Sequence, residues 1–373
     1  MKKRILCFLM VLCLVMAVLP VGVFAASGEG TLDNPWKEGG VQAYLDRNVL
    51  HVYGSGALPD YEKGGQPWYG KSAAITSVVI ETGVTGIGKN AFSCCGSLET
   101  LTLRRDASAT GALILGQYAI PSGVKVEVEI SGSGYMAEYD SNQPWANLKS
   151  RITAVTVDEG VRSIGKQAFA GCTNLKSVVI PSTAEIIGQE AFASCTSLTE
   201  VSIRHDFSYP LAIGADVFPT DNAGFKVYME ISGSAAVPDY ADKNQQPWAS
   251  FRTFIRTLTI GGDVAGVGKN AFSGCTGLTS ITIPKSVNAI GSNAFFGCRN
   301  LRLVTFENGC NLSALEPDAF AKCSDELYII SDGSNSTLNW EAAGIQSSQV
   351  KSKVNTDAPP TLQLQARTSK TIT

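Results

Sequence analysis

Histidine is nearly absent from this chain of 373 residues, which contains only His51 and His205. Serine-hydrolase triads and histidine-based metal sites need an imidazole beside a nucleophile or further ligands, and neither histidine has such a companion motif. The local pattern places His51 in a predicted strand and His205 at a strand end. We therefore predict no catalytic residue, no metal ligand and no cofactor, and interpret both histidines as surface or half-buried residues.

Beyond the N terminus, concentrated positive charge and long apolar runs are also missing. Residues 1–25 combine a basic start, an apolar stretch and the small-residue pattern Val23-Phe24-Ala25, which is typical of an export signal peptide. An uncleaved membrane anchor is the alternative, because the apolar run approaches the length of a spanning helix. No later stretch is long and apolar enough to span a bilayer. These features predict a secreted or cell-surface protein, with cell-wall association left open.

Removal of the signal peptide takes away three cations and no acid, so the formal net charge falls from −3 to −6. Nucleic acid is excluded as a partner on this ground, because phosphate binding needs a concentrated basic face.

Most of the cysteines occur at one fixed position of a sequence motif, which does not indicate a set of disulfide pairs. Eight of the ten lie beyond the signal peptide, and six of these come three residues after the Phe of an Ala-Phe pair. Because free cysteine behaves as a small buried hydrophobe, the fixed position predicts a packing role. Cys94 and Cys310 fall outside this register, and disulfides remain an alternative for them in an exported chain.

A short repeat explains the fixed position of the cysteines. Its core reads Ile-Gly-x-x-Ala-Phe, followed by Cys and, in five copies, by Leu and an alternating strand of period two. Phe169 and Phe192 are 23 residues apart, as are Phe272 and Phe295. This spacing is within the range of leucine-rich repeats. The six copies of the core span residues 87–92, 164–169, 187–192, 267–272, 290–295 and 315–320, and segments 115–120 and 213–218 are degenerate copies.

A second, longer repeat unit, which also contains copies of the short repeat, occurs three times. Each unit has a strand-like segment ending in Gly-Ser, then an acidic residue and Tyr, then Gln-Pro-Trp, and each Trp precedes the next Phe by 24 residues. The tryptophans are Trp68, Trp145 and Trp248.

Stacking of coils is the physical consequence of these repeats. A coil of about 23 residues cannot bury its own apolar face, so neighbouring coils must share ladders of Phe, Leu, Ile and Cys. The Gly of Ile-Gly suits either a positive φ or a close backbone approach. We predict a β-rich, right-handed solenoid over residues 26–330, built from leucine-rich repeats with short helical turns in three composite blocks.

The string Ile-Gly-x-x-Ala-Phe-x-Gly-Cys-x-x-Leu, as in residues 267–278 and 290–301, resembles the BspA-type leucine-rich repeat of bacterial surface proteins. The resemblance covers roughly residues 32–330; departures from the pattern are Cys94 in place of Gly, Pro317, and degenerate copies without Cys. It implies a secreted or surface-attached protein that adheres to host proteins, glycans or other bacteria. It supplies no catalytic or binding residue to carry over.

Two other matches to known motifs are coincidental. Gly65–Ser72 fits the phosphate-binding pattern G-x4-G-K-[ST], but it contains Pro67 and Trp68 and follows a polar turn instead of a buried strand. Residues 86–91 and 266–271 fit G-x-G-x-x-A only because the repeat generates that spacing.

Two sets of residues are candidates for ligand contact. Trp68, Trp145 and Trp248 would line a glycan platform if their rings were exposed, whereas packing at the seams between blocks is the favoured alternative. Ser202, Thr282 and Thr305 occupy outward strand positions that suit a binding face or an ordinary solvated sheet.

The repeat pattern is no longer recognisable in the sequence after Ile330. Residues 331–360 are polar and predict a linker, and residues 361–373 alternate like the first strand of a truncated β-sandwich domain. Two functions remain open: an extracellular binding or adhesion module that recognises a surface protein or glycan, and a non-catalytic accessory region of a larger exported hydrolase. The gene sequence beyond Thr373 would distinguish them, because a catalytic domain there favours the second.

Overall fold

The computed structural model describes residues 29–140, 142–335 and 337–352. The expected signal peptide, the later part of the expected linker and the expected β-sandwich strand lie outside these residues. The described chain forms two compact units. The first comprises the chain up to Asp106 with Thr110–Glu129 and Asn142–Ile152, and the second comprises Ala107–Ala109, residues 130–140 and the chain from Thr153 onward.

The first unit is built from two ladders of strands, numbered here in chain order. The first three long strands pair antiparallel in sequence order: β1 (Trp36–Glu38), β2 (Val41–Asp46) and β3 (Val49–Gly54). A ladder of parallel strands then continues from β3 through β5 (Ser77–Ile80) and β7 (Thr100–Asp106). β9 (Lys125–Ser131) lies next to β7 in this sheet and ends in the second unit. A second parallel ladder contains the short strands β4 (Gly56–Ala57), β6 (Val84–Ile87) and β8 (Ile114–Leu115). Two 3-10 helices, Tyr69–Ala74 and Ala146–Arg151, follow Trp68 and Trp145, whereas the Ala91-Phe92 corner, where a short helical turn was expected, is a hydrogen-bonded turn.

The second unit repeats this arrangement over more coils. Its long strands are β11 (Ile152–Val157), β13 (Ser177–Ile180), β15 (Glu200–Asp206), β17 (Lys226–Ser232), β18 (Ile255–Ile260), β20 (Ser280–Ile283), β22 (Leu303–Phe306), β24 (Tyr328–Ser331) and β25 (Val350–Ser352). Its short strands are β10 (Gly134–Tyr135), β12 (Val161–Ile164), β14 (Ile186–Ile187), β16 (Ala212–Ile213), β19 (Gly266–Val267), β21 (Ala289–Ile290) and β23 (Ala314–Leu315). The 3-10 helices Arg252–Phe254 and Ser347–Gln349 precede β18 and β25. Both units are β-solenoids, which confirms the predicted fold class.

The alternation of side chains along the long strands separates core from surface. In β13 and β15, Val178 pairs with Val201 and Ile180 with Ile203, and these four residues are buried. Their neighbours Ser177, Val179 and Ser202 point outward, because successive side chains in a strand face opposite sides. Paired residues of β13 and β15 are 23 residues apart, so one repeat of the sequence corresponds to one coil of the solenoid.

Aromatic rings stack from coil to coil in the core of the second unit. Phe192 stacks between Phe169 and Phe218, with ring centroids 5.4 and 5.6 Å away. Phe295 lies in the same way between Phe272 and Phe320, at 5.6 and 5.1 Å. The degenerate copy that ends in Phe218 therefore keeps its place in the stack, as predicted.

The backbone of the Ile-Gly turn is explained by close approach. A Cβ atom on Gly188 would lie 2.5 Å from the backbone nitrogen of Lys166 in the preceding coil, so only glycine fits there. The positive φ falls two residues later, on residues of other types. These are Asn90, Gln167, Glu190, Asn270, Asn293 and Asp318, whose φ angles lie between 54° and 59°.

The aromatic spacer motif is itself a coil in which Trp replaces Phe. In the first unit, Asp60 accepts a hydrogen bond from the amide of Lys89 at 2.6 Å, and the side-chain amide of Gln66 donates to the carbonyl of Asn90 at 2.6 Å. In the second unit, Asp239 and Gln246 make the same two bonds to Lys269 and Asn270, again at 2.6 Å each. The motif therefore joins each spacer to the next regular coil.

Cysteine thiols connect neighbouring coils within the stack. The thiol of Cys195 donates to the carbonyl of Phe169 at 3.1 Å, and that of Cys298 donates to the carbonyl of Phe272 at 3.2 Å. All eight cysteines of the described chain are free, and Cys310 is fully buried. The packing role expected for the in-register cysteines agrees with these contacts.

The chain beyond Ile330 begins with a further coil where we expected a linker. β25 pairs in parallel with β24, and Ala343 and Ile345 are buried. The amide of Phe320 donates to the carbonyl of Ala343 at 2.9 Å, as in the regular coils. Ala343 and Ile345, together with Trp340, whose ring lies 5.8 Å from that of Phe306, continue the stack although the segment is largely polar.

Candidate binding surfaces

The outward side chains of β13, β15, β17 and β18 form one surface of a four-stranded sheet in the second unit, here called the long-strand face. Its central row contains Val179, Ser202, Tyr228 and Thr257, which lie opposite one another in parallel register. Val179 and Thr257 are exposed, while Ser202 and Tyr228 are half-buried. The candidate residue Ser202 therefore lies in the middle of a row of mixed polarity.

A charged row runs beside the central row. Arg204 is exposed and lies opposite Glu230, with 3.7 Å between its Nε and the carboxylate. Both side chains are more than half exposed, so the pair contributes little to stability and remains available to a partner. Thr259, exposed on β18, extends this row because it pairs with Glu230.

The candidates Thr282 and Thr305 belong to the next long-strand sheet of the second unit. They lie opposite each other on β20 and β22, Thr282 exposed and Thr305 half-buried. The structure thus brings Thr282 and Thr305 together as neighbours, and places Ser202 in a different sheet.

The three tryptophans lie in the core. Trp68, Trp145 and Trp248 are at most 1% exposed. The indole of Trp68 stacks on Phe92 at 5.7 Å and donates to the carbonyl of Ala91 at 3.0 Å. A ring enclosed on all sides has no face for a sugar, so their position corresponds to the packing alternative.

The two histidines differ in their surroundings. His51 is half-buried and stacks on Tyr44, with ring centroids 4.7 Å apart and an angle of 9° between the planes. His205 is 1% exposed, and its Nδ1 and Nε2 lie 3.2 and 3.1 Å from the carbonyls of Ala184 and Tyr209. Burial lowers the pKa of His205 despite these carbonyls and the nearby carboxylates of Asp206 and Glu185.

Within the described residues, no group of three or more His, Cys, Asp and Glu side chains is arranged to hold a metal ion. Over the same part of the chain, we find no helix of the length and apolar character that a membrane crossing requires.

Sequence reasoning missed a second surface, formed by the short strands of the second unit and the loops beside them. Arg162 lies over the ring of Tyr135 at 5.3 Å and over that of Tyr209 at 5.9 Å. The same guanidinium pairs with Glu185, which also accepts a 2.7 Å hydrogen bond from the hydroxyl of Tyr135. These residues come from consecutive coils at 23- to 27-residue separations, and only the alignment of coils brings them together.

Electrostatics holds this cluster in one ionisation state. Hydrogen bonds from Tyr135 and Arg162 lower the pKa of Glu185 below its usual value. The carboxylate in turn raises the pKa of both Tyr135 and Arg162. The cluster therefore contains one carboxylate and one guanidinium at neutral pH, and its formal charge is zero.

Solved structures of bacterial leucine-rich repeat proteins are similar to this chain. One, a leucine-rich repeat protein from Bacteroides ovatus ATCC 8483, has 18% identity, with 89% of this chain and 100% of that chain covered and a TM-score of 0.30. Another, a leucine rich cell surface protein from Faecalibacterium prausnitzii A2-165, has 18% identity, with 84% and 98% covered and a TM-score of 0.23. The search of curated proteins gave no match.

A family model covers most of the repeat region. The model of the BspA type leucine-rich repeat region matches six copies, over residues 65–117, 145–219 and 250–344. The matched segments include the Phe stacks and the strands of Ser202 and Thr282, whereas β17 lies in a stretch that the model does not match. The chain belongs to the BspA-type leucine-rich repeat family.

Proposed function

We propose that this chain is an exported, non-catalytic binding or adhesion module that recognises a protein or glycan on a host or bacterial surface. Family membership supports a protein-binding or adhesion role in general terms. The observation that carries the proposal further is the long-strand face, where consecutive coils present outward side chains in fixed rows.

Rigidity favours this face as a binding surface. Its side chains stand on parallel strands whose other side is packed in the core, so the backbone positions are set before a partner arrives. Preorganised groups lose less conformational entropy on binding than groups on loops do. A large ligand would meet Val179, Ser202, Tyr228 and Thr257 at successive strand spacings without rearrangement of the sheet.

The residue types on the face suit a protein partner especially well. Tyr and Arg are enriched among the few residues that dominate binding energy at protein interfaces. Tyr228 occupies the central row between Ser202 and Thr257, and Arg204 occupies the adjacent charged row. We expect Tyr228 to supply most of the apolar contact and Arg204, with Glu230, to set the orientation.

The experiment is a screen of the mature protein, residues 26–373, against arrays of extracellular matrix proteins and surface polysaccharides. For any partner found, Tyr228→Ala and Arg204→Ala should each weaken binding at least tenfold, measured by biolayer interferometry. Tyr118→Ala is the matched control, because Tyr118 is a strongly exposed tyrosine of the first unit and lies on neither long-strand sheet.

Three results would count against the proposal. Full binding by both long-strand variants would show that the partner uses another surface. No partner on either array would oppose an adhesion role. Turnover of peptide or glycan substrates by the purified chain would contradict the non-catalytic assignment.

A further inference from the structure

We propose that the short-strand side of the second unit holds a separate binding site for a neutral saccharide, formed by Tyr135, Arg162, Glu185 and Tyr209. The site is on a different face from the rows of Ser202 and Tyr228, so this inference goes beyond the proposed function and does not depend on it. It rests on three properties of the cluster: exposed rings, free hydrogen-bonding capacity and charge neutrality.

The exposed rings are the first property. Tyr135 is 50% exposed and Tyr209 is 45% exposed, although each packs against the same guanidinium. Arg162 covers one face of each ring and leaves the remaining surface open to solvent. Phenol rings held in this way offer apolar faces to the C–H groups of a pyranose.

The fixed hydrogen-bonding groups are the second property. Nε and Nη2 of Arg162 are directed at Glu185, which leaves the donors on Nη1 for other acceptors. The hydroxyl of Tyr135 donates to Glu185 and keeps its lone pairs as acceptors. A sugar hydroxyl both donates and accepts, so it can satisfy both kinds of group without a change in protonation.

Charge neutrality is the third property, and it selects the class of ligand. A phosphate, sulfate or carboxylate ligand that accepted a hydrogen bond from Nη1 of Arg162 would lie close to the carboxylate of Glu185, which repels a second anion. Displacement of Glu185 from Arg162 is costly as well, because the Glu185 side chain is only 8% exposed and would lose its charged partner. A cationic ligand would similarly meet a guanidinium that already occupies the space between the rings. An uncharged polyhydroxylated ligand avoids both penalties.

The site is held in place by contacts behind it. His205 lies beneath the loop that presents Tyr209, with its Nε2 3.1 Å from the carbonyl of that tyrosine. The backbone amide of Met136, next to Tyr135, donates to the hydroxyl of Ser163 at 2.8 Å. Both rings are therefore attached to packed segments of the solenoid.

The test measures binding of uncharged oligosaccharides to the mature protein. The probes are tetrasaccharides of β-1,4-glucose, β-1,4-N-acetylglucosamine, α-1,6-mannose and β-1,4-galactose, each at up to 5 mM, detected by saturation-transfer NMR and titrated by calorimetry. At least one should bind, and the double variant Tyr135→Ala/Tyr209→Ala should weaken it at least tenfold. Arg162→Lys should weaken it severalfold, since lysine lacks the planar fork that pairs with Glu185.

Two controls separate ring stacking from a change of fold. Tyr135→Phe keeps the ring but loses the hydrogen bond to Glu185, so affinity should stay within about threefold, because stacking would supply most of the contact. Tyr118→Ala removes an exposed tyrosine of the first unit and should have no effect. Circular dichroism of each variant verifies the fold.

Several outcomes would overturn the inference. They are absence of binding by all four probes, full binding by the folded double variant, and tighter binding of sulfated or sialylated oligosaccharides or of proline-rich peptides. Tyr228→Ala should leave saccharide binding unchanged, so failure here and failure of the long-strand face are distinguishable.

Discussion

The indole ring of Trp248 stacks on the ring of Phe272, with centroids 5.3 Å apart and only 10° between their planes. The stack then continues through Phe295 to Phe320. The spacer coil and the regular coils of the second unit therefore share one aromatic ladder. Stability should be distributed along this ladder, because each coil buries its apolar side on its neighbours.

Loss of the ring of Phe192 should lower stability strongly. Its side chain is fully buried between Phe169 and Phe218, so the Phe192→Ala variant leaves a cavity with rings on both sides. We expect the free energy of unfolding to fall by about 3–5 kcal/mol. Urea denaturation followed by circular dichroism measures this change.

The control for that variant is Tyr118→Ala, which removes an aromatic side chain that is 68% exposed. Its effect should be within about 0.5 kcal/mol, the usual range for surface substitutions. A loss below about 1 kcal/mol for Phe192→Ala would contradict the role given to the ladder, since emptied core sites cost more.

Substitution of Asn293 tests whether the left-handed backbone conformation in the turn after Gly291 affects stability. The Asn293 φ of 57° is unfavourable for residues with a Cβ atom, although Asn tolerates it better than most. Asn293→Ala should therefore lower the unfolding free energy by about 1 kcal/mol, whereas Asn293→Gly should be close to neutral. Thermal denaturation of both variants gives the comparison, and equal melting temperatures would show that the backbone conformation is not decisive.

His205 should make stability fall in mildly acidic solution. Because burial lowers its pKa in the folded state, the unfolded chain takes up a proton at a higher pH than the folded chain does. The contribution is present above the unfolded-state pKa of about 6.5 and is lost as the pH falls below it. Melting temperatures between pH 7.5 and 5 should drop more steeply for the wild type than for His205→Gln.

The comparison concerns the slopes, since His205→Gln also changes packing against Phe207 and lowers stability at every pH. Parallel curves for the two proteins would assign the acid sensitivity to other groups. Asp206 and Glu185 act in the opposite direction on His205, because both raise its pKa.

Cys94 should be the most reactive thiol of the folded chain. It is half-buried, and a hydrogen bond from the thiol of Cys95 lowers its pKa. Burial raises the pKa of Cys275 to about 12, which keeps that thiol protonated and unreactive. Brief iodoacetamide treatment at pH 8, followed by peptide mass mapping, should label Cys94 first and Cys323 next.

The six buried thiols should react only after unfolding in guanidinium chloride; they are Cys95, Cys172, Cys195, Cys275, Cys298 and Cys310. Labelling of Cys275 in the native protein at the rate of Cys94 would contradict the ladder. Protection of Cys94 or Cys310 that persists in unfolded, unreduced protein would instead identify a disulfide, the alternative left open by the sequence.

The sequence predicted the coil because one period governs both spacing and burial. The 23-residue separation of Phe169 and Phe192 predicts the ring stack, and the alternation of residue types in Ser177–Ile180 predicts a strand. The environment of each Trp was not decided by the sequence, because the 24-residue separation from the next Phe suits both an exposed ring that binds a glycan and a ring packed at a seam. The ring stack of Trp248 on Phe272 makes the spacer a coil.

Contacts between coils were the part that the sequence could not predict. Tyr135, Arg162 and Tyr209 belong to different coils and look like unrelated loop residues until the strands are set in register. The coil that ends in β25 was likewise not predicted, because its buried residues Ala343 and Ile345 stand outside any copy of the motif Ile-Gly-x-x-Ala-Phe. His205 was expected at most half-buried, but the neighbouring loop covers it.

Substitution of Trp for Phe within one ladder has a consequence for how such chains vary in length. A coil gained or lost between Trp248 and Phe320 would still leave an aromatic ring facing an aromatic ring on either side of the junction. Duplication or deletion of whole coils would then be tolerated by the core and would move the outward rows by one strand spacing each time. The reach of such a protein, and the set of surfaces it offers, can change in steps without a new fold.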